Sequence, residues 1–169
     1  MDNILLKLAD IQDLTIAIQL IEQGKAFLKS LGIDQWQNGY PDEVCIKNDI
    51  LERKGYFLVY GKAIVGYMCI DFDGEPAYDN LQGKWLSHMP YVVVHRMVIN
   101  NTFKKKGLAS IAFQLVEKLA IQNGIQSFRV DTDIDNKIMQ HILNKNGFQY
   151  CGIVNFDNSE KIAFEKLIR

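Results

Sequence analysis

Cysteine is sparse in this chain: Cys45, Cys69 and Cys151 are odd in number, far apart and without histidines at ligand spacing. That pattern excludes a disulfide framework and a zinc site, and no metal is expected. No run of about 18 apolar residues occurs, so no membrane-spanning helix is expected. The start, Met1, Asp2, Asn3, Ile4, has neither the basic residues nor the apolar stretch of a secretory leader, and the expected location is cytoplasmic. Charge of one sign is not in excess either. A formal net charge of -1 gives bulk electrostatics no means of recruiting nucleic acid or an anionic membrane. Internal repeats and low-complexity tracts are also missing.

What remains is an ordinary globular composition, 48% hydrophobic and 23% charged over 169 residues. That length suits one domain, 1–169, able to bury its apolar surface without staples. Ile4, Leu6 and Leu8 alternate as a short strand, and Asp10 or Asp13 can cap the helix that follows, whose apolar face runs from Leu14 to Leu31 with a break at Gly24. Trp36 to Pro41 forms an aromatic turn, and Pro41 opens a second helix through Leu51. Tyr56–Tyr60 and Ala63–Phe72 read as a hairpin across Gly61 and Lys62. From Asp73 to Pro90 the pattern dissolves into a loop of about 15 residues, long enough to be functional. Later come a strand at Phe128–Thr132, a helix at Lys137–Asn146, and two strands, Phe148–Phe156 and Ile162–Ile168, around a turn at Asp157, Asn158 and Ser159.

The centre of the chain is Tyr91–Asn123. Tyr91 to Ile99 are mostly β-branched or aromatic, as in a strand buried on both faces. Asn100, Asn101 and Thr102 end it, Lys104, Lys105, Lys106, Gly107, Leu108 and Ala109 follow, and from Ile111 apolar residues recur at helical spacing. A helix start presents unpartnered N–H groups and the positive end of the macrodipole. Gly107 and Ala109 add no bulk that would hold a ligand off the backbone, so a pyrophosphate is a natural guest.

The run Lys104-Lys105-Lys106-Gly107-Leu108-Ala109 resembles the signature of the GNAT superfamily of acyl-CoA-dependent N-acetyltransferases: Gln or Arg, two residues, Gly, one residue, then Gly or Ala, between a strand and a long helix. Lys104 departs from the usual first residue. A second likeness lies downstream, where Asp135, Asn136, Met139, Leu143 and the closing Asn146, Gly147, Phe148 resemble the family's Asn-to-Gly-Phe helix and following strand. The resemblance implies an α/β, single-domain GNAT-like fold: a mixed, mostly antiparallel sheet of about six to seven strands with helices on both faces. It also implies transfer of an acetyl group from acetyl-CoA to a primary amine of a small molecule or protein. Main-chain groups of Met97, Val98 and Ile99 would bind the acyl carbonyl and pantetheine, Lys104 to Ala109 the pyrophosphate, and Asn136 would contact CoA. Expected partners are the amine alone, without nucleic acid or membrane, in a monomer or homodimer.

Each of these residues also has a plain reading. The lysines can be a solvated charge run, Asn136 a helix cap, and Met97 to Ile99 core strand. Where many family members carry a Tyr acid this chain has Leu143, and where some carry a basic Glu it has Val93. Either another donor protonates the thiolate, for instance His141, Tyr91 or water, or the thiolate leaves unprotonated, since a thiol pKa near 8.5 makes it a fair leaving group. His95, on the face of Val93 and Met97 if the strand is regular, is a candidate base or a hydrogen-bonded core histidine. Asp131 and Asp133 are rival bases, cation-holding groups or solvated charges. Trp36, Tyr40 and Trp85 cover core edges or wall an acceptor pocket, with Asp71, Asp73 or Glu75 meeting a cationic amine. The two vacancies keep a second class open, a non-catalytic acyl-CoA-binding or sensor module.

Overall fold

A computed structural model describes residues 3–156 and 159–169. The turn expected at Asp157 and Asn158 lies outside the described residues. Among the described residues there are eight strands and four α-helices, in the order β1 (Ile4–Leu8), α1 (Leu14–Ser30), α2 (Glu43–Leu51), β2 (Gly55–Tyr60), β3 (Ala63–Asp71), β4 (Gln82–Gly83), β5 (Val92–Ile99), α3 (Leu108–Gln122), β6 (Ser127–Thr132), α4 (Lys137–Lys145), β7 (Gln149–Phe156) and β8 (Ser159–Leu167). Strand order is β1-β2-β3-β5-β6-β8-β7-β4. The pairs β1–β2, β2–β3, β6–β8, β7–β8 and β4–β7 are antiparallel and β5–β6 is parallel, so the sheet is mixed. Among the described residues no helix is long and apolar enough to cross a membrane.

Eight strands replace the six to seven expected. The extra one is β4, a two-residue ladder on β7 inside the stretch read as a structureless loop. A 3-10 helix, Pro76–Asn80, lies in the same stretch, capped by the Glu75 carboxylate on the Ala77 N–H. Neither segment is long enough to show a hydrophobic period. Two boundaries also differ. Gly24 does not break α1; it is buried there, and a Cβ would stand 2.9 Å from the Trp36 ring. Asp42 rather than Pro41 starts α2, its carboxylate accepting the Cys45 N–H at 2.8 Å.

The chain divides into two compact units, with boundaries inside β5 and α3. The first comprises Met1–Ile70 and Arg96–Leu115. Its core joins Ala17, Leu20 and Ile21 of α1, Ile46 and Ile50 of α2, Phe57, Tyr67 and Val98. Burial of each large side chain contributes about 1.5–3 kcal/mol. The second comprises Asp71–His95 and Val116–Arg169. There β5 enters beside β6 through Val92↔Phe128 and Val93↔Arg129, and Tyr78, Val93, Val154 and Ala163 form a core with Trp85, Tyr91 and Phe156 packed on it.

The β4–β7 ladder pairs Gly83 with Gly152 at φ 150° and 148°. A Cβ on Gly152 would overlap the Gln82 carbonyl oxygen, and backbone cannot swing aside as a side chain can. Gly152→Ala is therefore expected to cost about 1–3 kcal/mol, read as a lower urea midpoint together with faster proteolysis between residues 80 and 90.

Candidate active site

The centre of the first unit is a charge pair that the sequence reading did not single out. Arg96 has φ 54°, a left-handed conformation in the middle of β5 that a non-glycine residue adopts at a cost of about 1–3 kcal/mol. Its side chain holds the carboxylate of Asp49, which is 6% exposed on the inner face of α2. Arg96 Nε donates to Oδ2 at 2.8 Å and Nη2 to Oδ1 at 2.5 Å, while the Tyr67 hydroxyl donates to Oδ2 at 3.0 Å. Nη1 of Arg96 donates to the Tyr40 hydroxyl oxygen at 2.8 Å. Burial, the largest single effect, pulls the guanidinium pKa down, but the Asp49 hydrogen bonds together with the fields of Cys69, Tyr40 and Asp49 outweigh it and the net shift is upward. Burial and the neighbouring Asp49 raise the Tyr67 phenol, which stays a donor. Losing one partner of such a buried pair costs about 3–5 kcal/mol, more than the backbone strain, so the pair can hold this left-handed break in the strand, the Arg96 bulge, in place.

Beyond Arg96, β5 is restrained against β3. The Asn100 N–H donates to the Val65 carbonyl at 2.8 Å, and Gly66 lets the Val98 carbonyl come so near that a Cβ would lie 2.8 Å from it. Val98 is buried, whereas Met97 and Ile99 are half-buried. Because Arg96 is left-handed, β5 is not regular. The expected common face of Val93, His95 and Met97 therefore does not carry across the bulge.

After β5, Asn100 caps a single 3-10 turn, Asn101–Phe103, and the lysines follow. Lys105 and Gly107 are both left-handed, at φ 65° and 72°, and a Cβ on Gly107 would meet nothing within 4 Å. Helix α3 closes its first turn with Ile111 N–H to the Gly107 carbonyl at 3.2 Å. Leu108 and Ala109, ahead of that bond, place their N–H groups at the N-terminal end of the helix. Alternating left-handed residues before a helix start form a concave set of N–H donors suited to an anion. The three lysines differ. Lys105 and Lys106 are exposed, whereas Lys104 Nζ rests 3.1 Å from the centroid of the Phe27 ring. Burial lowers its pKa from 10.5 to about 8.

Of the aromatic residues in the first unit, Trp36 is half-buried against Gly24 and the core cluster, and Tyr40 is exposed with its hydroxyl on Arg96. In the second unit His95 Nε2 lies 3.4 Å from Glu75 Oε2. The Tyr91 hydroxyl accepts the Glu75 N–H at 3.1 Å. A cavity of about 320 Å³ adjoins them, lined by Phe72, Asp73, Gly74, Glu75, Pro76, Asp79, Pro90 and Tyr91. Three of those residues are acidic. Asp131 accepts the Tyr78 hydroxyl at 2.7 Å, and Tyr78 keeps its proton because burial and Asp131 both raise its pKa. Asp133 is bound to Lys161 at 3.1 Å. Asn136 Oδ1 accepts the Met139 N–H at 3.1 Å, a plain cap on α4. Leu143 and Val93 are wholly buried, and His141 is exposed on α4.

The loop carrying the cavity is anchored by Glu165, which is 0% exposed. Its carboxylate accepts four hydrogen bonds, from Leu86 N–H, Ser87 N–H, Ser87 Oγ and Ser127 Oγ. Arg129 lies between the Trp85 and Tyr91 rings, 4.0 and 4.1 Å from their centroids, and donates to the Ser87 carbonyl at 2.8 Å. Trp85 is half-buried rather than an open-loop aromatic, and its indole N–H is bound by the Tyr78 carbonyl at 3.0 Å. Asp49, Arg96, Arg129 and Glu165 each had one visible signal, a charge at an apolar position: Asp49 between Ile46 and Ile50 on the inner face of α2, and the others inside strands.

The family model for GNAT acetyltransferases matches residues 18–148. The chain belongs to the GNAT family. Among solved structures, a GNAT-family acetyltransferase from Streptococcus agalactiae 2603 is 34% identical, with TM-score 0.89 over 98% of this chain and 96% of that one. Another, from Listeria monocytogenes 4b F2365, is 20% identical with TM-score 0.78 over 98% and 95%. AAC(6')-Ib in complex with ribostamycin and coenzyme A shares the fold at 16% identity, TM-score 0.72, over 98% and 94%. Comparison with curated proteins finds no match. In this GNAT-family chain the Lys104-to-Ala109 run lies between β5 and α3, within the residues matched by the family model.

The Lys104 ammonium gives a check on this turn. Its folded pKa of about 8 lies below the ordinary 10.5, so the unfolded chain binds the extra proton between those values. Stability therefore grows as pH rises through that window. Urea midpoints compared across it are expected to rise in the wild type relative to Lys104→Met, which lacks the titrating group. Parallel curves would mean that the lysine is not desolvated against Phe27.

Proposed function

We propose that this single domain, 1–169, transfers an acetyl group from acetyl-CoA to a primary amine by direct attack in a ternary complex. The observation that carries the reading is the turn from Lys105 to Ala109: two left-handed residues and a helix start, in a GNAT chain, one 3-10 turn beyond a restrained strand end. The pyrophosphate takes the N–H groups of this turn, with Lys105 and Lys106 supplying field. Lys104, parked on Phe27, contributes charge from the side. Main-chain groups of Met97, Val98 and Ile99 hold pantetheine and the acyl carbonyl. One N–H aimed at the developing oxyanion contributes about 3 kcal/mol to catalysis.

The amine nitrogen attacks the thioester carbonyl carbon, the C–N bond forms, and the tetrahedral intermediate collapses with cleavage of C–S. His95 takes the proton that the amine sheds, and the Glu75 carboxylate beside it steadies the imidazolium. Asp131 adds negative charge. The thiolate leaves as such and is protonated by solvent, since a thiol pKa near 8.5 makes it an adequate leaving group; Leu143, buried and apolar, supplies nothing. The acidic cavity at Asp73, Glu75 and Asp79 supports a cationic small-molecule acceptor; Trp85, bound to the Tyr78 carbonyl and packed on Arg129, is not part of its lining. AAC(6')-Ib, solved with ribostamycin or kanamycin and CoA, is a fold relative whose ligands are such amines. Asn136, whose side-chain oxygen caps α4, contributes a CoA contact at the start of that helix.

Calorimetry with acetyl-CoA tests the cofactor site. Gly107→Val forces a β-branched residue into φ 72° where the surrounding space is open, so the fold tolerates the volume while the turn is distorted. Affinity is expected to fall at least about tenfold with a small loss in Tm; unchanged affinity in a folded variant refutes the site.

The base is tested by His95→Gln over pH 5.5 to 9 with an amine that gives CoA release. The wild-type kcat/KM is expected to fall on the acid side as the imidazole protonates, and the variant to lose that limb together with about 10²-fold or more in rate. Superimposable profiles would leave solvent as the base. Retention of acetyl-CoA with no CoA release against a broad amine panel would favour the sensor reading.

A further inference from the structure

We infer that Asp49 is a positioning residue for acyl transfer, acting through Arg96 to hold the backbone that receives the thioester. The inference rests on the reading that the Met97–Ile99 main chain binds the acyl carbonyl. A strand of L-residues does not turn left-handed unaided, and the chain places at this point an arginine rather than the glycine that would adopt φ 54° freely. Something else must hold the bulge.

The contacts on Arg96 meet that need. Its guanidinium is anchored twice to Asp49, and Asp49 is itself fixed on α2 by burial among Ile46 and Ile50 and by the Tyr67 hydroxyl from β3. The planar fork leaves Arg96 little freedom to rotate. Tyr40 closes the outer side through Nη1. One residue further on, the main chain becomes the segment that binds the acyl group. Its far end is fixed by the Asn100-to-Val65 hydrogen bond and by the Val98 carbonyl against Gly66. With the far end pinned, the φ of residue 96 sets the direction of the Met97 and Ile99 N–H groups. Asp49 touches no reacting atom, yet the orientation of those donors depends on it. Misplacement of such donors by about 1 Å costs as much as 10²-fold in rate.

The test separates backbone geometry from charge. Asp49→Asn/Arg96→Ala and Asp49→Asn/Arg96→Gly both lack the ion pair and leave no buried charge unpaired, so neither carries the penalty of a broken pair. They differ in a Cβ at a left-handed position. Turnover is followed as CoA release from acetyl-CoA with ribostamycin or spermidine, with calorimetric affinity for acetyl-CoA alongside. The Gly double variant is expected to exceed the Ala one in kcat by about tenfold, with KM for the amine alike in both. In ¹⁵N-labelled protein the Met97 and Ile99 amide resonances are expected near wild-type positions for Gly and displaced for Ala. Equal kcat in the two folded variants, or unmoved Met97 and Ile99 amides in the Ala variant, overturns the inference. A wild-type chain that releases no CoA with any amine would instead refute the acetyl-transfer reading, and the amide positions would still decide whether Asp49 holds the bulge.

Discussion

The constraint on which the first unit depends is the buried pair of Asp49 and Arg96. A left-handed arginine in a central strand is expensive, and a carboxylate 6% exposed among isoleucines is more so. Either feature alone would be eliminated by its cost. Together they satisfy each other: the carboxylate gains two guanidinium N–H donors and a phenol, and the guanidinium gains a fixed direction. Stability alone does not call for such a pair, because apolar residues of the same volume are often as stable. What it specifies here is where β5 departs from regular alternation, just ahead of Met97.

The second unit applies the same physics to a loop. Glu165, wholly buried on β8, gathers the N–H groups and hydroxyl of Leu86 and Ser87, and Arg129 is sandwiched between Trp85 and Tyr91. A segment with hardly any regular structure thus has a fixed path. Its other end behaves differently. Asp73 and Asp79 are exposed and Glu75 is half-buried beside His95, and all three line the cavity. Rigidity and acidity come from separate ends of one loop.

Membership in the GNAT family sets the class of chemistry and leaves the acceptor to local residues. The distribution of charge follows that division. At the turn before α3 the backbone supplies the donors, and the three lysines are unequal, one of them held on Phe27 and partly desolvated. At the cavity, side-chain carboxylates predominate.

The sequence by itself determined the alternation of strands and helices, the strand-turn-helix from Tyr91 to Asn123 and the family, because each rests on local periodicity or on a contiguous motif. It did not reveal β4 or the 3-10 helix at Pro76–Asn80, which are too short for a period to show. Gly24 read as a helix break, yet tertiary structure uses the missing side chain to seat Trp36. His95 was placed on one face by assuming a regular strand, an assumption Arg96 cancels. The pairs Asp49–Arg96 and Arg129–Glu165 join residues 47 and 36 positions apart. Only the folded chain decides such partnerships, because a charge at an apolar position announces that it needs a partner without saying which.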